Sequence, residues 1–488
     1  MERLMQNIKT SLILLVIFIP VMVWAAPFAD SYQLGTAPSA GLAGNGITDI
    51  AAGNRMMWFG TGYGLSRSQD NGASFESFGV KHGLGAGSVS ALWVHGDTIL
   101  VATANDTLTN ASESYLSNGT GLSISTDNGA TWRHIRQTPL DYTSVQNLSY
   151  DIAVLNGTIW LANFGGGLVR GDNFGETWAV NPPDSFLFDP GKELNHRVFS
   201  VIAVDDELWV GTAEGINKST DGGKTWKNFN HTSQEQPISG NFVNGLACQK
   251  TGGRKIIWAS TWKAEGEDEY YGVSKSENGG LTWSVVLGTP EQQIKAANFS
   301  FDGATVYVAT YDGLYKSTDF GETWYLFPQV IDPEIDEKIY GAETYSVHAQ
   351  NNVIWLGTSD GLARTTNNGY TWDIMRAFKP TGQGGVPRTY AYPNPFSPTR
   401  DNLAANDGFV RLQYNTLRPT RVTIKVYDFA MDLVTTVVEG KIRYTAGNFN
   451  EVWNGRNDYG DPVANGVYFY CVSIEEDGAF WGKILIVN

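Results

Sequence analysis

Between residues 262 and 271 the chain sets Glu265, Glu267 and Asp268 among Trp262, Tyr270 and Tyr271. Flat rings beside carboxylates are groups that stack on sugars, hold cations or grip basic peptide segments. Tyr115, Phe186, Phe188 and Asp189 repeat the pattern in two other insertions, and Asp332, Glu334 and Asp336 in a third. Solvated acidic loops have the same composition. Calcium at Asp332 and Asp336 has no EF-hand spacing behind it, so neither a metal nor another cofactor is expected.

A second set of acids recurs at intervals. Ser219-Thr220-Asp221-Gly222-Gly223-Lys224-Thr225-Trp226 returns in variants starting at Ser68, Ser125, Gly171, Ser276, Ser317 and Thr365, at spacings of 41 to 57 residues. The third position is Asp70, Asp127, Asn173, Asp221, Asn278, Asp319 and Asn367. An acid needed as proton donor or metal ligand does not survive exchange to an amide, whereas a turn cap does. These seven residues are therefore read as structural, and no catalytic residue is assigned. The accompanying glycines, Gly72, Gly129, Gly175, Gly223, Gly279, Gly321 and Gly369, are expected at positive φ. The closing Trp or Phe is expected to bury its ring between sheets.

What positions these residues is a repeat of four short strands. Leu208–Thr212 and Gly215–Ser219 read as strands two and three, preceded by the apolar run Val198–Val204. The box then turns into strand four. Seven such units cannot bury their faces singly, and stacking them radially gives a seven-bladed β-propeller. The long insertions (residues 105–120, 181–196, 228–239, 262–271 and 329–343) join strands two and three or successive repeats. They should share one rim, with the boxes on the other. Elaborated loops on a rigid scaffold are the usual seat of function.

The octapeptides resemble the Asp-box of BNR-type propellers: sialidases, sortilin-like receptors, xyloglucan-active endoglucanases and photosystem II assembly propellers. The Trp-Val-Gly-Thr strand is also similar to the propeller repeats of two-component sensor ectodomains. The resemblance spans about residues 45–378 and implies the fold; in those families the boxes lie away from the ligand face. A sialidase would need three converging arginines and a Tyr/Glu pair. The Arg-Ile-Pro motif is absent, and Arg67, Arg170 and Arg364 precede boxes as repeat positions.

Bulk properties agree with many short strands: 55 Gly, 16 Trp, 22 Tyr, 23 Phe and only 17% charged residues. A net charge of −16 argues against nucleic acid. Cys248 and Cys471 fall in different expected domains and read as small apolar residues. Arg3 and Lys9 before the apolar run 11–24 indicate a signal peptide, residues 1–25, and no transmembrane span is expected in the mature chain. The propeller is expected over 26–378 and a Gly/Pro linker over 379–387. Residues 388–488 then alternate as a β-sandwich with strands at 410–414, 421–427, 433–438, 466–474 and 482–487. Tyr392-Pro393-Asn394-Pro395-Phe396, Trp453-Asn454-Gly455 and Asn465-Gly466-Val467-Tyr468 resemble the Ig-like C-terminal domains related to the flagellar hook-capping protein. Many of those act as type IX secretion tails, which implies passage through a Gram-negative outer membrane and surface attachment or release. Asn488 departs from tails ending near a basic residue. The expectation is an all-β, secreted or surface-bound binding protein with a glycan or protein ligand. The competing readings are a glycoside hydrolase and an assembly or sensor scaffold.

Overall fold

The computed structural model describes residues 41–108, 115–136, 147–264, 266, 268–382, 384–403 and 407–488. The expected signal segment, Glu265, Glu267 and the side chain of Tyr115 lie outside the described residues. The chain is all-β and divides into two units. The first holds the described residues up to Pro328 together with Glu343–Tyr370; the second holds Gln329–Ala342 and Thr371–Asn488.

Each sheet of the first unit comes from one contiguous stretch. Sheet four is typical: Val198–Val204, Glu207–Thr212, Gly215–Ser219 and Lys227–Phe229, antiparallel and in sequence order. Residues 208–212 of its second strand are all buried. A strand covered on both faces loses the apolar–polar alternation and reads as a continuous apolar run. The inner strands begin at Ile47, Ser88, Ser149, Val198, Phe242, Ala296 and Thr344, each packed beside the next. Thr344–Gln350 packs against Ile47–Gly53, where Ser346 Oγ donates to Ile47 O at 3.2 Å and Phe59 meets Trp355 at 5.3 Å. This closed ring of stacked sheets is a β-propeller. The insertion at 105–120 is no free loop: the second and third strands of sheet two run on as one ladder, pairing Asn105 with Asn118 and Leu108 with Tyr115.

The boxes act as turn locks. Asp221 accepts hydrogen bonds from Ser219 Oγ (2.8 Å), Thr225 N–H (2.9 Å) and Thr225 Oγ1 (2.6 Å), and Ser219 Oγ accepts Gly223 N–H at 2.8 Å. Asp70, Asp127 and Asp319 repeat this set. The threonine or serine closing the turn donates to the carboxylate, holding Asp127 at about 2 and Asp70, Asp221 and Asp319 below the usual carboxylate value. Asn278 accepts from Thr282 N–H (3.0 Å) and donates to Thr282 Oγ1 (2.8 Å), so an amide fits the same socket. Asp221→Asn should therefore lower the melting temperature at pH 7 less than Asp221→Ala does, as a thermal scan would show. The depressed values place these carboxylates' stabilisation above the unfolded carboxylate range, with loss as pH falls toward 2.

The box glycine is required because the strand-two tryptophan of the preceding sheet lies against it. A Cβ at Gly129, Gly223 or Gly321 would stand 2.6–2.7 Å from Trp58, Trp160 or Trp258. In sheet five this glycine is Gly280, whose Cβ would stand 3.0 Å from Phe229 and 3.1 Å from Trp209, and not Gly279, which meets only Lys218 Nζ at 3.5 Å. The fully buried ring is the strand-two Trp; the box aromatic meets it edge-on and is often half-buried, as for Trp132 on Trp58 (82°) and Trp324 on Trp258 (90°).

In the second unit Thr389–Tyr392, Val410–Thr416 and Gly447–Trp453 form one sheet; Leu433–Arg443, Thr420–Tyr427, Gly466–Ile474 and Gly478–Ile486 form another. Leu412, Tyr414 and Trp453 of the first share a core with Ile424, Tyr470, Val472 and Ile484 of the second. The short ribbon Ile331–Asp332 and Glu337–Lys338 belongs here. Asp332 accepts the backbone N–H groups of Glu334 and Ile374, and Asp336 pairs with Lys441 at 2.9 Å. Asp332, Glu334 and Asp336 are thus grouped with this unit, not with the first unit that carries Trp262.

Candidate functional site

The connection from sheet three to sheet four is built around a fully buried histidine. His196 Nδ1 accepts the backbone N–H of Asp189 at 2.9 Å, which leaves its proton on Nε2, 3.0 Å from Asp184 Oδ1. Asp184 also takes Asn195 Nδ2 (3.0 Å) and Phe186 N–H (2.9 Å). Burial opposes its charge, but His196, Asn195 and the Phe186 amide outweigh that and lower its pKa. Phe188 stacks on His196 with centroids 5.4 Å apart, and Asp189 caps Gly191 N–H and pairs with Lys192. The braced loop carries Phe186, 63% exposed, and Leu187, 91% exposed, at its tip.

The next two connections interlock. Buried Glu269 accepts Asn241 N–H (3.1 Å), Asn241 Nδ2 (2.9 Å) and Ala264 N–H (2.9 Å), and Tyr270 N–H donates to Ser239 O. His231 faces an acceptor at each nitrogen: Ile238 O at 2.6 Å from Nδ1, exposed Asp268 at 3.1 Å from Nε2. Burial works against its charge, but Ile238 O, Asp268 and Glu269 prevail and raise its pKa. A raised histidine stabilises in full below its unfolded value and loses that contribution as pH climbs through the folded one. Hydrogen exchange at Asn241 and Tyr270, corrected for intrinsic rate, should therefore quicken between pH 6 and 8, and not in His231→Gln.

Trp262 is only 7% exposed. It stacks on Phe242 (5.8 Å, 17°) beside Tyr271, and Phe242 continues through Phe199 to Tyr150 and Phe164. This belt is the packing beneath the loops; Tyr270, partly buried, has its phenol pKa raised by desolvation. Of the residues singled out in the sequence, the structure places Trp262, Tyr270, Tyr271 and Asp268 together, and Phe186 and Phe188 on the neighbouring loop. Arg67, Arg170 and Arg364 do not converge: each lies over its own strand-two tryptophan, Trp58, Trp160 or Trp355.

A second constellation escaped the sequence reading. All seven inner strands skip one residue near their start, a bulge at Thr48, Ser90, Tyr150, Phe199, Asn244, Ala297 and Tyr345. The following residue often ties its strand to the next. Asp49 accepts Leu92 N–H (3.0 Å), Asp151 accepts Ser200 Oγ (2.7 Å) and Val201 N–H (2.9 Å), Ser200 accepts Leu246 N–H (3.0 Å) and Asn298 accepts Val347 N–H (3.3 Å). Burial, helped by the charge of Asp151, pushes Asp49 up to about 7, and burial pushes Asp151 up to about 6. The available signal was positional: at this repeat position the seven strands read Asp, Ala, Asp, Ser, Gly, Asn, Ser.

No known family model matches the chain, and neither does any curated protein. Among solved structures it is similar to the Niastella koreensis GH74 enzyme at 13% identity, over 92% of this chain and 74% of that one, with a TM-score of 0.53. An ancestral GH74 enzyme aligns at 16% identity over 93% of this chain, which spans 63% of that protein, with a TM-score of 0.52. YCF48 from Cyanidioschyzon merolae aligns at 16% identity over 66% of this chain and 96% of that one, with a TM-score of 0.44. What is shared is the propeller fold.

Proposed function

We propose that this is a non-catalytic binding propeller of seven blades, exported and displayed on the outer surface of a Gram-negative bacterium. It takes a protein or glycan ligand on the rim formed by the connections between sheets. The observation that carries this reading is the exposed Phe186–Leu187 tip on a loop locked by Asp184, Asn195 and buried His196. Apolar side chains held rigidly in water are the pattern of a binding hot spot. Phe186→Ser with Leu187→Ser should keep the wild-type melting temperature and lose ligand. Unchanged ligand binding by that variant sinks the assignment.

Asp49 and Asp151 favour a second reading, a glycoside hydrolase, because buried carboxylates with raised pKa values are a mark of acid–base sites. Against it, both are already occupied in tying inner strands together. A polysaccharide and glycoconjugate panel, scored for retention and for released sugar, separates the two. Product that disappears in Asp151→Asn would establish the hydrolase.

Residues 388–488 are proposed as the Ig-like sorting or anchoring module, engaging outer-membrane secretion machinery. Protease added to intact cells should then digest the protein. Full protection until the outer membrane is opened would place it in the periplasm and refute display.

A further inference from the structure

In the four-stranded sheet of the second unit, Val422, Ile424 and Val426 point into the core, so Arg421, Thr423, Lys425 and Tyr427 point out. Cross-strand pairing sets Lys425 beside Cys471 and Cys471 beside Trp481; the adjacent row runs Tyr427, Phe469, Lys483. Trp481 is 51% exposed and its ring lies 5.5 Å from that of Tyr427. Two rows thus cross the outer face of these strands, each with a lysine at one end and an aromatic ring within reach.

The charge of these three strands opposes that of the molecule. The whole chain carries −16, yet the outward charges on the three strands 420–427, 466–474 and 478–486 are Arg421, Lys425 and Lys483. Among the described residues neither lysine forms an ion pair; Arg421 donates to Gly440 O at 3.2 Å. Acids border the patch: Asp428 and Asp432 sit in the turn beyond the strand, Glu439 is exposed on the fourth strand, and Asp458 accepts the N–H of Thr436, the residue paired with Lys425. Unpaired ammonium groups beside exposed rings on an acidic protein call for an anion that also presents flat apolar faces. A chain of carboxylated sugar rings has both.

We propose that this face binds an acidic polysaccharide, with Trp481 and Tyr427 stacking on sugar rings and Lys425 and Lys483 holding their carboxylates. The site belongs to the second unit and stands or falls separately from the ligand proposed for the propeller.

The test is affinity electrophoresis of the full chain in gels containing alginate, a polyuronate, or neutral dextran. Retardation is expected in alginate alone, weakening as salt is added. Trp481→Ala, and separately Lys425→Gln with Lys483→Gln, should each lower the apparent affinity about tenfold while the melting temperature holds, since these side chains are largely outside the core. No retardation, equal retardation in dextran, or retardation unaltered in the variants overturns the proposal. So does sedimentation showing that the wild type self-associates and Trp481→Ala does not, which would assign the face to a second copy of this chain.

Discussion

Trp258→Ala should remove about 3–5 kcal/mol of stability from the propeller, the range for a large aromatic truncated in a well-packed core. The ring is fully buried between sheets five and six, with Phe299 at 6.5 Å, Phe301 at 6.0 Å and Trp324 edge-on at 6.4 Å. Its Nε1–H donates to Gln249 Oε1 at 3.2 Å, so truncation strands a buried amide oxygen as well as opening a cavity. Gly321 provides a cross-check. A Cβ there would stand 2.6 Å from the Trp258 ring at a φ of +88°. Gly321→Ala alone is strained by both the clash and the backbone. In the Trp258→Ala background the clash with that ring has gone, and the backbone part and a 3.3 Å approach to Trp324 remain. A double-mutant cycle from urea midpoints should therefore show favourable coupling between the two changes. Strict additivity would mean that the box does not pack on the preceding sheet in the way described.

The second large effect is a pH dependence set by the inner strands. Asp49 and Asp151, raised to about 7 and about 6 from an unfolded value near 4, bind more protons in the folded than in the unfolded chain over that interval. Stability from the pair is therefore complete below pH 4 and is lost as pH rises through the folded values. The loss is roughly 3–4 kcal/mol for each carboxylate by pH 8. Asparagine keeps an oxygen to accept the N–H of Leu92 or Val201 and carries no charge. Asp49→Asn and Asp151→Asn should thus flatten the difference in stability between pH 5 and pH 8, and be more stable than wild type at the alkaline end. His231 tilts the wild-type profile the same way, so the informative quantity is the variant-minus-wild-type difference at each pH. A variant less stable at pH 8 with an unaltered slope would contradict the assignment.

The ring of sheets was legible because it is written seven times. The box, Leu208-Trp209-Val210-Gly211-Thr212 and the apolar inner run each recur, and repetition converts weak local propensity into a firm pattern. Register within the box was harder. Gly279 and Gly280 are neighbours; the fifth box position, held by Gly223 in Ser219–Trp226, falls on Gly280, and its contacts with Phe229 and Trp209 agree. In the C-terminal module the apolar strands were readable, whereas Thr389–Tyr392 and Gly447–Trp453 mix polar and small residues and are recognised only by their pairing with Val410–Thr416. For function the sequence carried less. Trp262 has the composition of a ligand platform, but the sequence gives no sign that Phe242 and Tyr271 cover it. Asp49 and Asp151 looked like strand residues, since a bulge and a hydrogen bond to a neighbouring sheet are tertiary facts. Phe186 and Phe188 were equally aromatic in sequence; the buried imidazole of His196 takes up one and leaves the other in water.

The central claim, that ligand meets the braced rim rather than the box rim, is tested most directly by site-specific photocross-linking in cells. A benzophenone amino acid at position 186 is compared with one at Lys224, an exposed box residue on the opposite rim. A discrete adduct is expected from position 186 and none from 224. An adduct from 224, or none from 186 while the protein remains folded, would contradict it.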